Sequence, residues 1–351
     1  MREFVFEAKL PRVVFGAGAL QHLPREVDAL GGQRALVLST PGQAASAQRV
    51  VALLGPRAAG TFTQAAMHVP TATARAACDE AARLNADCAI AIGGGSTTGL
   101  GKAIALNTGL PVIAIPTTYA GSEMTTMYGL TEGGAKTTGR DPRVLPRCVV
   151  YDPELSVGLP LAITVVSMIN AIAHAAEGLY APDANPVIDL MAEQGIARGA
   201  IALPRLQRAP HDLEARGDAL AAAWLCGIVM GHITVGLHHK LCHTLGGFGL
   251  PHAELHTVIL PHALAYNAPA APQAMVRIAA ALGSASAPAG VYDLAQRHGA
   301  PTSLRAIGMQ AADLARAAEM AVKNQYPNPR PLERGAIREL LQHAYDGVRP
   351  D

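Results

Sequence analysis

Seven of the thirteen histidines in this 351-residue chain fall between His232 and His262, four of them in "GLHHKLCHTLGGFGLPH" at 236–252. Imidazole ligates divalent metals and, with a pKa close to neutrality, also moves protons, so the concentration points to a metal site or to acid–base chemistry. On a continuous helix His232, His239 and His243 stand at i, i+7 and i+11 and share one face, while His238 points about 100° away. His252 follows the turn-forming "GGFGLP" and can fold back toward that face. Upstream, "SMINAIAHAAEGLYA" sets Asn170 and His174 at i and i+4, on one side of a helix. His174, His239, His243 and His252 are therefore the expected site, and His256 and His262 are read as ordinary hydrogen-bonded core or surface residues.

A second stretch suits a phosphate. "CAIAIGGGSTTGLGKAIAL" runs from an apolar strand through Gly93, Gly94, Gly95 and Ser96 into a helix expected to begin near Thr97. Glycines let backbone N–H groups approach a ligand with no Cβ in the way, and a helix start directs its positive end at the same point. "VIAIPTTYAGSEMTT" places Thr117, Thr118, Gly121 and Ser122 just after the next strand, so two carboxyl ends should face one crevice and bind a dinucleotide, NADH or NADPH. Where an acidic residue would hold the adenosine ribose hydroxyls, the chain has Ser39, Thr40, Pro41 and Gly42, so the two nicotinamides are not separated. The earlier "FGAGAL" at 15–20 is read as a hairpin turn.

These residues need a scaffold, and the pattern supplies one. Apolar runs at 34–40, 87–95, 110–118 and 147–153 alternate with Ala-rich stretches, the signature of buried parallel strands in an α/β layer. From 160 onward strand-like runs become scarce, and 187–203, 216–230 and 273–282 read as helices. The expected fold is a Rossmann-like α/β nucleotide-binding domain with a parallel sheet at 1–155, followed by an all-α catalytic domain at 156–351. "MREFVFEAKLPRVVF" at the start alternates like a strand. A formal charge of +1 without basic runs argues against nucleic acid as a partner. Five cysteines without a CxxC spacing suit free thiols and a cytoplasmic location. No signal-peptide pattern or membrane-spanning apolar run is expected.

"GGGSTTGLGKAIAL", "AIPTTYAGSE", "RCVVYDPELSVGLP", "NAIAHAAEGLYA" and "HHKLCHTLGGFGLPHAELHTVILPHALAYN" together resemble the iron-containing alcohol dehydrogenase superfamily in order and spacing, over nearly the whole chain. The resemblance implies a nucleotide-binding domain, a helical domain, hydride transfer in the cleft between them, and a homodimer. In metal-dependent members an Asp, a His four residues later, a His on the next long helix and a His after a Gly-rich turn hold the ion. The matching positions here are Asn170, His174, His239 and His252. An amide offers only a neutral dipole to a cation, so no metal is expected, although three imidazoles can still hold zinc. Gly99 also stands where many members carry Asp.

These departures are similar to the branch that reduces the C=C bond of maleylacetate to give 3-oxoadipate, with chlorinated maleylacetates as further candidates. Such chemistry needs an enolate stabilised and protonated, for which His243 or His239 is the expected donor, with His174 and His252 positioning substrate. Lys240, Lys136, Arg140, Tyr326 and Arg330 are candidates for the dicarboxylate, Lys136 near cofactor or substrate. The rival readings are a metal-dependent alcohol or polyol dehydrogenase using His174, His239 and His252, and a sugar-phosphate cyclase of the dehydroquinate synthase type. The cyclase needs a cationic phosphate pocket, for which the histidine segment offers only Lys240.

Overall fold

Each apolar run becomes a strand where it can be covered on both faces. In the computed structural model, which describes residues 3–133, 135–323 and 325–351, the strands are β1 (Arg12–Phe15), β2 (Ala35–Leu38), β3 (Ala58–Phe62), β4 (Cys88–Gly93), β5 (Val112–Pro116), β6 (Met127–Glu132), β7 (Ala135–Arg140) and β8 (Cys148–Tyr151). Thirteen α-helices are described, introduced below with their units. The chain divides into two compact units, Lys9–Leu159 and Pro160–Asp351, the latter joined by Met1–Ala8.

In the first unit six strands form one parallel sheet in the order β1-β8-β5-β4-β2-β3, and β6 pairs with β7 as a separate antiparallel hairpin. Alternation along the strands sorts the core into two layers. Val37, Ile90, Ile92, Ile113, Ile115 and Val150 pack with Val27 of α1 (Leu23–Ala29) and Val50 and Leu54 of α2 (Ala44–Leu54). Leu36, Leu38, Ala89, Ala91 and Val112 face the other way, toward Ala77 of α3 (Thr71–Arg83) and Leu100 and Ile104 of α4 (Gly95–Thr108). Thus α2 leaves β2 on one face while α4 leaves its neighbour β4 on the other. The strand ends diverge at that point, and such a switch opens a crevice at the carboxyl edge of a parallel sheet.

Two sequence expectations change here. Residues 3–11 form no strand; pairing begins at Arg12, where Cys148 supplies the partner, and Val5 is 97% exposed. "FGAGAL" is not a hairpin: the chain passes through Gly18, at φ +75°, into a short 3-10 helix (Ala19–His22) and then α1. The Asp152 carboxylate accepts from the N–H groups of Gly18 (3.2 Å) and Leu20 (3.0 Å), so this glycine turn is filled by the protein's own anion.

The second unit is helical: α5 (Leu161–Gly178), α6 (Pro186–Arg208), α7 (Leu213–His232), α8 (Leu237–Gly246), α9 (His252–Asn267), α10 (Pro272–Leu282), α11 (Ala287–Arg297), α12 (Leu314–Lys323) and α13 (Arg334–Asp346). α5 is apolar around nearly its whole circumference and every residue from Thr164 to Gly178 is buried, so it becomes the central helix, packed by α6, α7 and α9. Contrary to expectation, α5 and the stretch Pro272–Arg297 are long and apolar enough to cross a membrane by length and composition. In this fold 83% of the α5 window is buried within the protein, and the second stretch is the helix pair α10 and α11.

The assumption of one helix running through His232, His239 and His243 also fails. α7 stops at His232, and α8 sets off from Gly236 at 94° to it. Ile233, Thr234 and Val235 are β-branched and disfavour helix, and Asp183 captures the Thr234 N–H (3.0 Å) and hydroxyl (2.8 Å). This corner decides which histidines meet.

Candidate active site

α8 presents His239 inward and His243 outward. His239 is buried between α5 and α9: its Nε2 lies 2.8 Å from His174 Nδ1, with the two rings stacked at 4.9 Å. On its other side Nδ1 lies 2.6 Å from Glu177 Oε2. Glu177 sits three residues past His174 on α5 and is 1% exposed. It also accepts from the backbone N–H groups of Gly236 (3.1 Å) and His238 (2.9 Å), which caps the start of α8 with a carboxylate from another helix. Burial raises the proton affinity of Glu177, and the His238 ring and these backbone donors oppose it.

His238 does not point away from the site. Its ring meets His239 at 4.8 Å and His256 at 4.9 Å, and its Nε2 lies 3.1 Å from the His256 carbonyl. His256, expected to be an ordinary core residue, stands in the cluster as well, 5.2 Å from the His239 ring and 4.4 Å from that of His252. Burial lowers His238 to about 3 and takes His239 and His256 well below the usual imidazole range, and the neighbouring His243 and His252 push His239 further down. These imidazoles are neutral at physiological pH. His243 and His252 are exposed.

The remaining expected residues divide. Asn170 is buried on α5 one turn before His174, and its Oδ1 has no hydrogen-bond partner among the described residues. Lys240 is exposed on α8 and stands three residues before the exposed His243, so the two share a face. Arg330 is not in the cluster. It lies over the Tyr266 ring at 4.3 Å and lines a cavity of about 220 Å³ with His262 and His343. Tyr326 packs against the apolar core of α8, α9, α12 and α13. His262 is a buried residue of α9 outside the cluster, and its Nε2 has no hydrogen-bond partner among the described residues, unlike the hydrogen-bonded residue expected. His238, His239 and His256 bring one ring nitrogen each within 4.8 Å of one another, a metal-like spacing among the described residues.

At the sheet edge the glycine loop has the geometry a diphosphate needs. Gly93 has φ +152°, open to glycine and strained for other residues. A Cβ on Gly94 would lie 3.0 Å from Thr118 Cγ2, and Gly94 caps α4 without a side-chain hydrogen bond, so the N–H groups of Gly95 and Ser96 form a bare helix start. α4 begins at Gly95, two residues before the expected Thr97. Gly99 has a structural reason: a Cβ there would meet Val69 Cγ2 at 2.7 Å.

Thr117 is tied to the second strand end, donating its N–H to the Gly93 carbonyl (3.0 Å) and accepting at Oγ1 from Gln43 Nε2 (2.8 Å). Gln43 escaped sequence reading, as did Lys102, whose buried Nζ donates to the carbonyls of Ser122 (2.6 Å), Thr125 (2.8 Å) and Met127 (2.7 Å) and so pins the loop carrying Ser122. Burial lowers the Lys102 amine to about 7. Ser39 departs from expectation: it is fully buried with its hydroxyl on the Thr40 carbonyl (3.1 Å), leaving Thr40 and Gln43 as the polar side chains at the end of β2. Arg140 is exposed on β7, and the Lys136 side chain lies outside the described residues.

A parallel sheet with a bare helix start at its carboxyl edge, together with a helical unit holding a buried imidazole cluster, belongs to an oxidoreductase, as the similar proteins show. Residues 11–153 match the family model for iron-containing alcohol dehydrogenases, and residues 164–345 match that for the C-terminal region of the Fe-containing alcohol dehydrogenase family. The chain belongs to the iron-containing alcohol dehydrogenase family. It is 68% identical to a maleylacetate reductase of Burkholderia cepacia over the full length of both, and 55% identical to one of Pseudomonas sp. strain P51 over 99% of each. The crystal structure of maleylacetate reductase from Agrobacterium tumefaciens covers all of both chains at a TM-score of 0.96 and 52% identity.

Proposed function

We propose that this protein is a maleylacetate reductase, reducing the C=C bond of maleylacetate to give 3-oxoadipate. The 68% identity to such an enzyme over the whole chain carries this reading. The chemistry that NADH or NADPH supplies when bound is a hydride for the alkene carbon remote from the ketone. Gly93, Gly94, Gly95 and Ser96 hold the cofactor diphosphate on the N–H groups at the start of α4, and Thr117, Thr118 and Ser122 line the second strand end. As charge moves onto the ketone oxygen, His243 donates the proton that completes the reduction, because it is the exposed imidazole one turn along α8 from His239. Lys240 shares that face and supplies positive charge for a substrate carboxylate. His174 and His239 form the inner wall, and His252 flanks it through His256.

Metal-free turnover belongs to this reading. The donors at the family's ion-binding positions are an amide and three imidazoles, with no anionic ligand. His239 Nε2 and His174 Nδ1 stand 2.8 Å apart, a hydrogen-bond separation. Two nitrogens on a tetrahedral ion with bonds of about 2.0–2.1 Å sit roughly 3.3 Å apart. The donor set at those positions, with no anion among its ligands, thus favours proton handling over a divalent cation. A homodimer in the cytoplasm completes the proposal. The test is loss of NADH absorbance on adding maleylacetate to protein treated with chelator. Stoichiometric iron or zinc with chelator-sensitive turnover, or faster reaction with simple alcohols, would overturn it in favour of the metal-dependent dehydrogenase.

A further inference from the structure

Besides capping α8, the Glu177 carboxylate touches the imidazole cluster itself. We propose that Glu177 is a positioning residue that fixes the tautomers of His239 and His174, giving the imidazole pair a single hydrogen-bond direction.

The argument starts at His238. Its Nε2 faces the His256 carbonyl at 3.1 Å, and a carbonyl only accepts, so Nε2 carries the proton and Nδ1 of this neutral ring is bare. That bare nitrogen faces His239 Nδ1 at 3.3 Å. Two lone pairs at that distance repel, so the proton of His239 resides on Nδ1, where Glu177 Oε2 accepts it at 2.6 Å. A protonated Glu177 would instead donate to a bare His239 Nδ1 and leave His239 as the Nε2–H tautomer, which is the outcome the spectrum below separates from this one. His239 Nε2 then accepts, and among the described residues the donor facing it is His174 Nδ1–H at 2.8 Å. The direction runs His174 Nδ1–H to His239, then His239 Nδ1–H to Glu177.

The surroundings make this orientation rigid. Gly236 and His238 N–H groups fix both carboxylate oxygens. A Cβ on Gly236 would lie 3.3 Å from Glu177 Oε1, so glycine at that corner is what lets α8 close on the carboxylate. The arrangement is the logic by which an acid holds an imidazole in one tautomer in hydrolytic triads, here extended through a second imidazole.

The tautomer assignment stands on these contacts and on the neutrality that burial imposes on the His238 ring, and its effect on turnover rests on the function proposed above. The experiment is a long-range ¹H–¹⁵N spectrum of ¹⁵N-histidine-labelled protein, with Glu177→Gln compared. Wild type should show Nδ1–H tautomers at His239 and His174 and an Nε2–H tautomer at His238. Glu177→Gln removes the anionic acceptor and sets an amide among the Gly236, His238 and His239 donors, so the preference for Nδ1–H at His239 and His174 should be lost in favour of mixed tautomers, with kcat for maleylacetate falling about 10²-fold and the Kd for NADH unchanged within threefold. An Nε2–H His239 in wild type, tautomers in Glu177→Gln identical to those of wild type, or kcat within threefold of wild type would each overturn the proposal. Should Glu177→Gln not fold, the wild-type spectrum decides by itself. A wild type inert toward maleylacetate but showing the expected tautomers would sink the function and leave the positioning role standing.

Discussion

Gly236 and Glu177 are a matched pair. The Gly236 N–H donates to Glu177 Oε2 at 3.1 Å, and the space a side chain would need on Gly236 is already taken by Glu177 Oε1 and, at 3.2 Å, by Asn328 Oδ1. Sequence places these residues 59 positions apart, yet together they make the corner from which His238 and His239 are displayed.

Gly236→Ala should therefore loosen the corner. The methyl group displaces either the carboxylate or the start of α8, and the expected cost is about 1–2 kcal/mol of stability. kcat should fall more than NADH affinity. Urea melts and steady-state kinetics check this; an unchanged midpoint with unchanged kcat would show that the corner tolerates a Cβ.

Gly94→Ala tests the phosphate loop separately. Its methyl group would press on Thr118 and on the approach to the bare N–H groups of α4. NADH fluorescence titration should show affinity weakened at least about tenfold, a loss of roughly 1.4 kcal/mol. The thermal midpoint should barely move, since the loop contributes little to either core layer.

Asn170→Asp returns an anion to a site that lacks one. Its Oδ1 already lacks a protein partner among the described residues, so a buried carboxylate there should destabilise the cation-free protein by about 2–3 kcal/mol. Added Zn²⁺ should restore the melting temperature of the variant while leaving that of the wild type unchanged. A variant whose melting is indifferent to Zn²⁺ would mean that the missing carboxylate is not what separates this cluster from a metal site.

Glu26 gives a pH signature distant from the chemistry. Arg12 Nε and Nη2 donate to its carboxylate at 2.7 and 3.2 Å, which holds the Glu26 carboxyl below its ordinary value. A depressed folded-state pKa stabilises above the unfolded value near 4.5 and loses that contribution as pH falls through the folded value. Since the Arg12 side chain is 60% exposed, solvent screening keeps the contribution at neutral pH small. Denaturant midpoints of wild type and Glu26→Gln should be separated at pH 7 and converge toward pH 3. A gap that widens on acidification would contradict the ion pair.

Much of this protein is written locally in its sequence. The apolar runs become β2, β4, β5 and β8, because a strand buried on both faces needs apolar residues at every position. The loop at Gly93, Gly94 and Gly95 is legible because closeness to a ligand demands the absence of a side chain, and that demand shows in residue type alone. The exchange of Asn170 for an acid is equally visible at a single position.

The cluster was another matter. Helical periodicity fixes which residues of one helix share a face, but it says nothing of which helices pack together or where one breaks. A single helix through His232 and His243 was the natural reading, and only the Asp183 contacts with Thr234 in the folded protein explain the 94° corner that removes His232 and turns His238 inward. Glu177 carries no signal in the sequence, because the partners that give it meaning, His238 and His239, are 61 and 62 residues downstream. Sequence determined which chemical groups were available; packing of α5 against α8 and α9 decided which of them touch, since burial makes each polar group find a partner wherever the chain brings one.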